Sequence, residues 1–254
     1  MIALVTLCIP DNQESLRYLQ QGLDKIEKSG FVVDTHRINT SGLSHCFDYY
    51  SPKARGWDIP WELLTIHLQR IHSDGLAPSM PKIDVPESKT DVQLTEVDMR
   101  ILDCIERGVA SVSKIRSSLR IGQHRVADRL RELRKKGIIK KTWEAHNIGL
   151  SEHVFVHSKE REVGKTIAAW ALRLPRCIVS FSLEDELMLL ADLPRGGSYG
   201  LATAIEAIST FCSFGILSSE LYGSWGFPSA LWDSRFQKWT CPKKELESWI
   251  ENLA

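Results

Sequence analysis

The chain lacks any pair of cysteines at ligand or redox spacing. Its six, Cys8, Cys46, Cys104, Cys177, Cys212 and Cys241, are scattered, and no CxxC occurs among them. In 254 residues that argues against a disulfide framework or a cysteine zinc template, and for reduced thiols in a cytoplasmic protein. No run approaches the roughly eighteen apolar residues of a membrane span, so no membrane partner is expected. Met1–Pro10 is apolar but carries no basic n-region and no cleavage signature; it reads as a strand, not a signal peptide. There is no internal repeat and no low-complexity tract. Net charge is also missing: 32 Lys and Arg balance 32 Asp and Glu.

That zero conceals a segregation. From Lys114 to Lys141, eleven basic residues meet only two acids, Asp128 and Glu132, a net +9 in 28 residues that the rest of the chain offsets with −9. A local excess of this size on an otherwise acidic chain is the footprint of a polyanion-binding surface.

Periodicity organises the chain into an α+β protein. Residues 1–75 read as a small α/β unit of undetermined role. In it, Asn12–Ser29 is a helix with an apolar stripe at Leu16, Leu19, Leu23 and Ile26, Phe31–Arg37 a strand, 38–60 irregular, and Trp61–His72 a helix. Residues 76–93, with Pro78, Pro81 and Pro86 and few large hydrophobics, are a linker. Residues 94–145 read as a winged helix-turn-helix. Its first helix starts after a Thr95 N-cap with Leu94, Val97, Ile101, Leu102 and Ile105 in register and stops at Gly108. A short second helix carries Val112, Ile115 and Leu119. A turn at Arg120–Gly122 leads to a third helix with Val126, Leu130 and Leu133 on one face. Gly137 ends it, and Ile138–Glu144 form an extended arm.

Residues 146–225 read as a ferredoxin-like βαββαβ sandwich for sensing and oligomerisation. The expected strands are His153–Ser158, Cys177–Leu183, Glu186–Asp192 and Gly215–Trp225, and the expected helices Glu162–Leu174 and Ser198–Phe214. A tail, 226–254, ends in a short helix near Lys243–Asn252.

At 100° per residue, His124, Asp128, Arg131 and Lys135 lie opposite the apolar face of the third helix. Gln123 and His124 stand at its N-terminus, where a recognition helix reaches base edges. Glutamine can pair bidentately with adenine and arginine with guanine. The residues expected near bases are therefore Gln123, His124, Arg125 and Asp128. Arg129, Arg131, Lys135, Lys136 and Lys140 are expected at phosphates, where they supply affinity but little sequence information. A basic run taken alone is usually a solvated face. Here it coincides with a three-helix pattern and a turn in the right place. Asp128 is the awkward member, unless it pairs along the helix with Arg125 or Arg131 or accepts from cytosine.

Residues 94–224 resemble the Lrp/AsnC family of transcriptional regulators. The likeness rests on LTEVDMRILDCIERG, on VSKIRSSLRIGQHRVADRLRELRKKGII and on KKTWEAHNIGLSEHVFVHS. Asp98, Ile101 and Leu102 look like the family's opening helix. Val126, Arg129, Leu130 and Leu133 with Gly137, Ile138 and Ile139 look like its recognition helix and exit, and Ile148, Gly149 and Leu150 like its lead into the sensor domain. The resemblance implies double-stranded DNA as partner, a homodimer or higher homo-oligomer on a palindromic site, and a small-molecule effector. Two departures are plain. About 90 residues precede the helix-turn-helix, and Glu184, Asp185 and Glu186 stand where the family's effector turn is expected to carry a glycine and an aspartate. The same Lrp-like architecture also serves sirohaem decarboxylases, which hold a tetrapyrrole with histidine and basic residues. Such an enzyme is the alternative, on the strength of His146, His153 and His157.

The remaining signals are weaker. Gly196-Gly197-Ser198-Tyr199-Gly200 matches a nucleophile elbow, but no histidine follows His157 to complete a triad. With Arg195 it could also hold an anion at a helix start. His36, His45, Cys46, His67 and His72 match no zinc spacing. Trp225, Trp232 and Trp239 recur every seven residues, yet Gly226, Pro228 and Pro242 interrupt any helix there, so they are expected to pack the tail on a neighbouring surface or a partner subunit. No catalytic residue, metal or cofactor is expected.

Overall fold

The computed structural model describes residues 13–30, 32–74, 93–109, 111–139, 148–217 and 231–253. In chain order the first elements are α1 (Gln13–Lys28), β1 (Ile38–His45), β2 (Tyr50–Ser51), β3 (Gly56–Trp57), α2 (Trp61–Ser73), α3 (Glu96–Glu106), α4 (Val112–Leu119) and α5 (Gln123–Lys135). There follow β4 (Leu150–Ser158), α6 (Arg161–Ala171), β5 (Arg176–Ser182), β6 (Leu187–Pro194), α7 (Gly197–Glu206), β7 (Ser213–Leu217), β8 (Trp232–Asp233), β9 (Lys238–Trp239) and α8 (Lys243–Leu253). The protein is α+β. No described helix is long and apolar enough to cross a membrane. Two compact units form. A sheet unit comprises the described residues of 36–74 and 148–217, and a helical unit the remainder.

The sheet unit is a five-stranded antiparallel sheet in the order β1-β5-β6-β4-β7. Strict alternation on β5 and β6 places Cys177, Val179, Phe181, Leu187, Leu189, Ala191 and Leu193 on one face. They share a core there with Val154 and Val156 of β4 and with α2, α6 and α7. The second helix of the pair is shorter than its apolar spacing suggested. The chain leaves α7 at Glu206, with Ala207, Ile208 and Ser209 donating back to Thr203 and Ile205. Ser213–Leu217, expected to be partly helical, is the strand β7. Residues 218–225 of the expected final strand lie outside the described residues.

The first 75 residues do not stand as a unit of their own. Val32–Arg37 has no regular structure, and the strand begins where Phe31–Arg37 was expected to end. β1, in a stretch read as irregular, pairs along β5 from Ile38↔Ser182 to His45↔Arg176. Asn39, Ser41, Gly42 and Ser44 hid it, because an edge strand draws its order from ladder hydrogen bonds and needs little apolar alternation. Helix α2 adds Leu64, Leu68 and Ile71 to the sheet core, and the buried Trp170 indole donates to the Leu64 carbonyl at 2.9 Å. Met1–Pro10, the expected first strand, lies outside the described residues.

Helix α1 belongs to the helical unit. It packs on α8 through Ser15, Gly22 and Ile26 against Leu246 and Ile250, while Leu16 of the expected stripe is exposed. The tail tryptophans follow no heptad. Trp232 and Trp239 face each other across the β8–β9 hairpin with ring centroids 5.1 Å apart. Gln237 in that turn accepts from the Leu94 amide at 2.8 Å and donates to its carbonyl at 2.9 Å, tying the tail to the start of α3. Trp225 lies outside the described residues.

One close approach holds α2 on the sheet unit. A Cβ on Gly200 of α7 would stand 2.3 Å from the Trp61 ring, so only glycine lets the two helices meet there. Gly200→Ala is expected to lower stability by about 1–3 kcal/mol through overpacking, read as a fall in Tm. Trp61→Leu in the same chain should recover part of that loss, and no recovery would remove this account.

Candidate nucleic-acid interface

Helices α3, α4 and α5 close around Ile101, Cys104, Ile115, Val126, Leu130 and Leu133. Each helix start is set locally. Thr95 and Asp98 form a reciprocal capping box on α3, and the Ser111 hydroxyl accepts from the Lys114 amide on α4. Arg120, in the left-handed region at φ 54°, ends α4, and Gly122 opens α5 without a side-chain cap. The turn is therefore the three residues Arg120–Gly122, as the sequence indicated. Ile138 and Ile139 pack on the core. The rest of the expected wing, with Lys140, lies outside the described residues.

Gln123, His124, Arg125, Asp128, Arg131, Lys135 and Lys136 are all exposed on α5. The first turn of the helix carries no acid. No N-cap side chain bonds its first amide groups, and His124 and Arg125 stand beside them, a favourable environment for an anion. Asp128 takes the along-helix pairing: its carboxylate meets Arg131 at 3.0 Å, three residues on, with both side chains largely exposed. Such a pair is weak in water and yields readily to a phosphate competing for Arg131.

Arg129 is the correction among the expected phosphate contacts. Its guanidinium is turned inward. Nε donates to Asp98 Oδ1 at 2.7 Å and Nη2 to Oδ2 at 2.5 Å, and Nη1 also meets Glu132. Asp98 is fully buried, and the same carboxylate accepts from the Thr95 amide at 2.8 Å and its hydroxyl at 2.7 Å. Burial by itself would push the Asp98 carboxyl up. The hydrogen bonds from Arg129 and Thr95 overcome that and hold it below the ordinary 3.8. The bonds to Asp98 likewise raise the Arg129 guanidinium. Arg129 thus pins α5 to the start of α3 and is not available as a phosphate contact. Its position beside Val126, Leu130 and Leu133, on the flank of the apolar stripe, was the sequence signal for this role.

The other sequence candidates lie in the sheet unit. The glycine-rich loop is a turn satisfied from within. Glu152 accepts from the Gly196 amide at 2.6 Å and the Ser198 amide at 2.8 Å, filling the place an anion would take at the start of α7. Burial favours a raised Glu152 carboxyl, but these amide bonds lower it overall. Gly200 is there for Trp61, so packing and self-capping account for the GxSxG match. His153 Nδ1 lies 2.7 Å from Asp192 Oδ1, whose other oxygen meets Arg176 at 3.0 Å. His157 Nε2 lies 3.1 Å from Glu186 Oε2, which also meets His36 Nδ1 at 2.8 Å. His146 lies outside the described residues. His45 and His67 each carry a buried ring nitrogen without a hydrogen-bond partner among the described residues. Sequence reasoning did not connect His36 and Glu186, because 150 positions separate them.

Neither the protein-family models nor the curated proteins compared with the chain give a match.

Breaking the Asp98–Arg129 pair from one side leaves a buried charge alone. Arg129→Ala is expected to cost about 3–5 kcal/mol in denaturant unfolding. Arg131→Ala, at an exposed pair, should cost under about 1 kcal/mol. The pH dependence has a defined sign. A carboxylate held below its unfolded value contributes stability that is fully present above 3.8 and is lost as pH falls through the lower folded value. Asp98→Asn should flatten the acid limb of the stability curve. An unchanged limb would mean the pair does not supply that stability.

Proposed function

We propose that the protein is a DNA-binding transcriptional regulator of Lrp/AsnC-like type. In this reading the α4–turn–α5 pair docks on double-stranded DNA, and the βαββαβ sheet unit is a ferredoxin-like domain for effector sensing and self-association. A cytoplasmic homodimer or higher homo-oligomer would then present two recognition helices to a palindromic site. The observation that carries the reading is the exposed face of α5. Gln123, His124, Arg125, Asp128, Arg131 and Lys135 are solvent-facing on a helix whose opposite side is core. In this reading Gln123, His124, Arg125 and Asp128 would meet base edges, and Arg131, Lys135 and Lys136 would meet phosphates. His153 and His157 are engaged with Asp192 and Glu186, so no specific observation favours the tetrapyrrole alternative.

The test is a fluorescence-anisotropy titration against genomic fragments over a series of salt concentrations. Log affinity should fall linearly with log salt. Each phosphate-contacting cation removed should lower the slope by about 1, so Arg131→Ala/Lys135→Ala/Lys136→Ala should lose about 3 and bind weakly to every sequence. Gln123→Ala should instead cost about 1–3 kcal/mol at the preferred site while leaving non-specific binding unchanged. Salt-independent binding, or binding indifferent to the triple substitution, would overturn the proposal.

A further inference from the structure

The one group of described residues able to hold a metal ion is His36, His157 and Glu186, whose ligand atoms all lie within 4.8 Å of one another. The three come from separate segments. His36 precedes β1, His157 is on β4, and Glu186 stands just before β6. Their backbones are tied together. The Leu183 amide donates to the Arg37 carbonyl at 2.9 Å, which holds the His36 segment against the β5–β6 turn. Within that turn the Glu186 amide donates to the Ser182 hydroxyl at 3.2 Å, and its carbonyl accepts from the Ser182 amide at 3.0 Å. The rings are also braced. The His36 and His157 centroids lie 4.7 Å apart edge-to-face, and Phe155 stacks beside His157.

Both imidazoles turn a nitrogen to the same carboxylate oxygen, at 2.8 Å and 3.1 Å. The side chains of His36, His157 and Glu186 keep only 18%, 9% and 18% of their exposure, so the cluster is largely dehydrated but not sealed from solvent. A tetrahedral ion with bonds of about 2.1 Å needs ligand atoms roughly 3.4 Å apart. The two Glu–His separations would have to lengthen by about 0.3 and 0.6 Å to meet that, and the His36–His157 nitrogens, within 4.8 Å of each other, would have to draw together. Two imidazoles and one carboxylate suit zinc, cobalt or ferrous iron better than calcium or magnesium, which select all-oxygen sites.

We propose that His36, His157 and Glu186 form a binding site for one divalent transition-metal ion of the zinc class. Three protein ligands leave a fourth position open to water or to an oxygen donor of a small ligand. The site lies wholly within the sheet unit and does not depend on the DNA-binding reading.

Cobalt(II) is the probe. The full-length chain, stripped with chelator and titrated with Co²⁺, should develop visible d–d bands that saturate at about one equivalent, and Zn²⁺ should displace them. Zn²⁺ should also raise the Tm of the stripped protein. His36→Ala and Glu186→Gln should each weaken cobalt binding by more than about 100-fold, beyond the roughly 10–100-fold typical of losing an outer-shell partner. His36 sits in an irregular segment and glutamine preserves the shape of Glu186, so both variants should retain the wild-type circular dichroism spectrum. His72→Ala, at an exposed histidine on α2, should leave cobalt binding unchanged. No bands with the wild-type chain, or bands that persist in both His36→Ala and Glu186→Gln, would overturn the site.

Discussion

The helical unit depends on one buried carboxylate. Asp98 has no exposure, and its oxygens are shared by the cap of its own helix and by a guanidinium from α5. A charge so placed is tolerable only with those partners in position. It therefore sets where α3 begins and how α5 lies against it. The consequence reaches the surface. With Arg129 drawn inward, the exposed side of α5 is left to His124, Asp128, Arg131 and Lys135, flanked by Arg125 and Lys136. The basic run is thus divided between one cation that builds the scaffold and several that the scaffold presents.

In the sheet unit the corresponding constraint is the alternation of β5 and β6, which sends one set of side chains into the helix-covered core and the other, half-buried, to the opposite face. On that second face, Phe155, Leu190, Ile178 and Leu43 form one cross-strand row by register, between a row containing His153, Asp192 and Arg176 and one containing His157 and Met188. Polar groups there are paired with one another. His153 and His157, two of the three histidines that suggested tetrapyrrole chemistry, belong to these pairings, and the loop that suggested an elbow is closed by Glu152.

Local rules were legible where a residue's role depends on its neighbours in the chain. Thr95 and Asp98 as a capping box, Gly108 and Gly137 in the left-handed conformation after their helices, and Val126, Leu130 and Leu133 as a buried stripe all follow from spacing. The same reasoning misjudged β1, since its order comes from β5, some 140 residues away. It overextended α7 because Phe211 and Phe214 continue a helical spacing that the chain does not follow. It saw that the tail tryptophans form no helical seam, but not that Trp232 and Trp239 are partners across a hairpin.

The sequence by itself determined the three-helix pattern, the turn at Arg120–Gly122, the alternating strands and the concentration of positive charge between Lys114 and Lys141. Each of these is a matter of short-range periodicity, capping or composition. Only the tertiary structure decided which carboxylate the inward Arg129 meets, which edge the first strand joins and which carboxylate meets His36 and His157. Those choices depend on burial and on contacts between residues tens to more than a hundred positions apart, and nothing in local spacing encodes a partner at that distance.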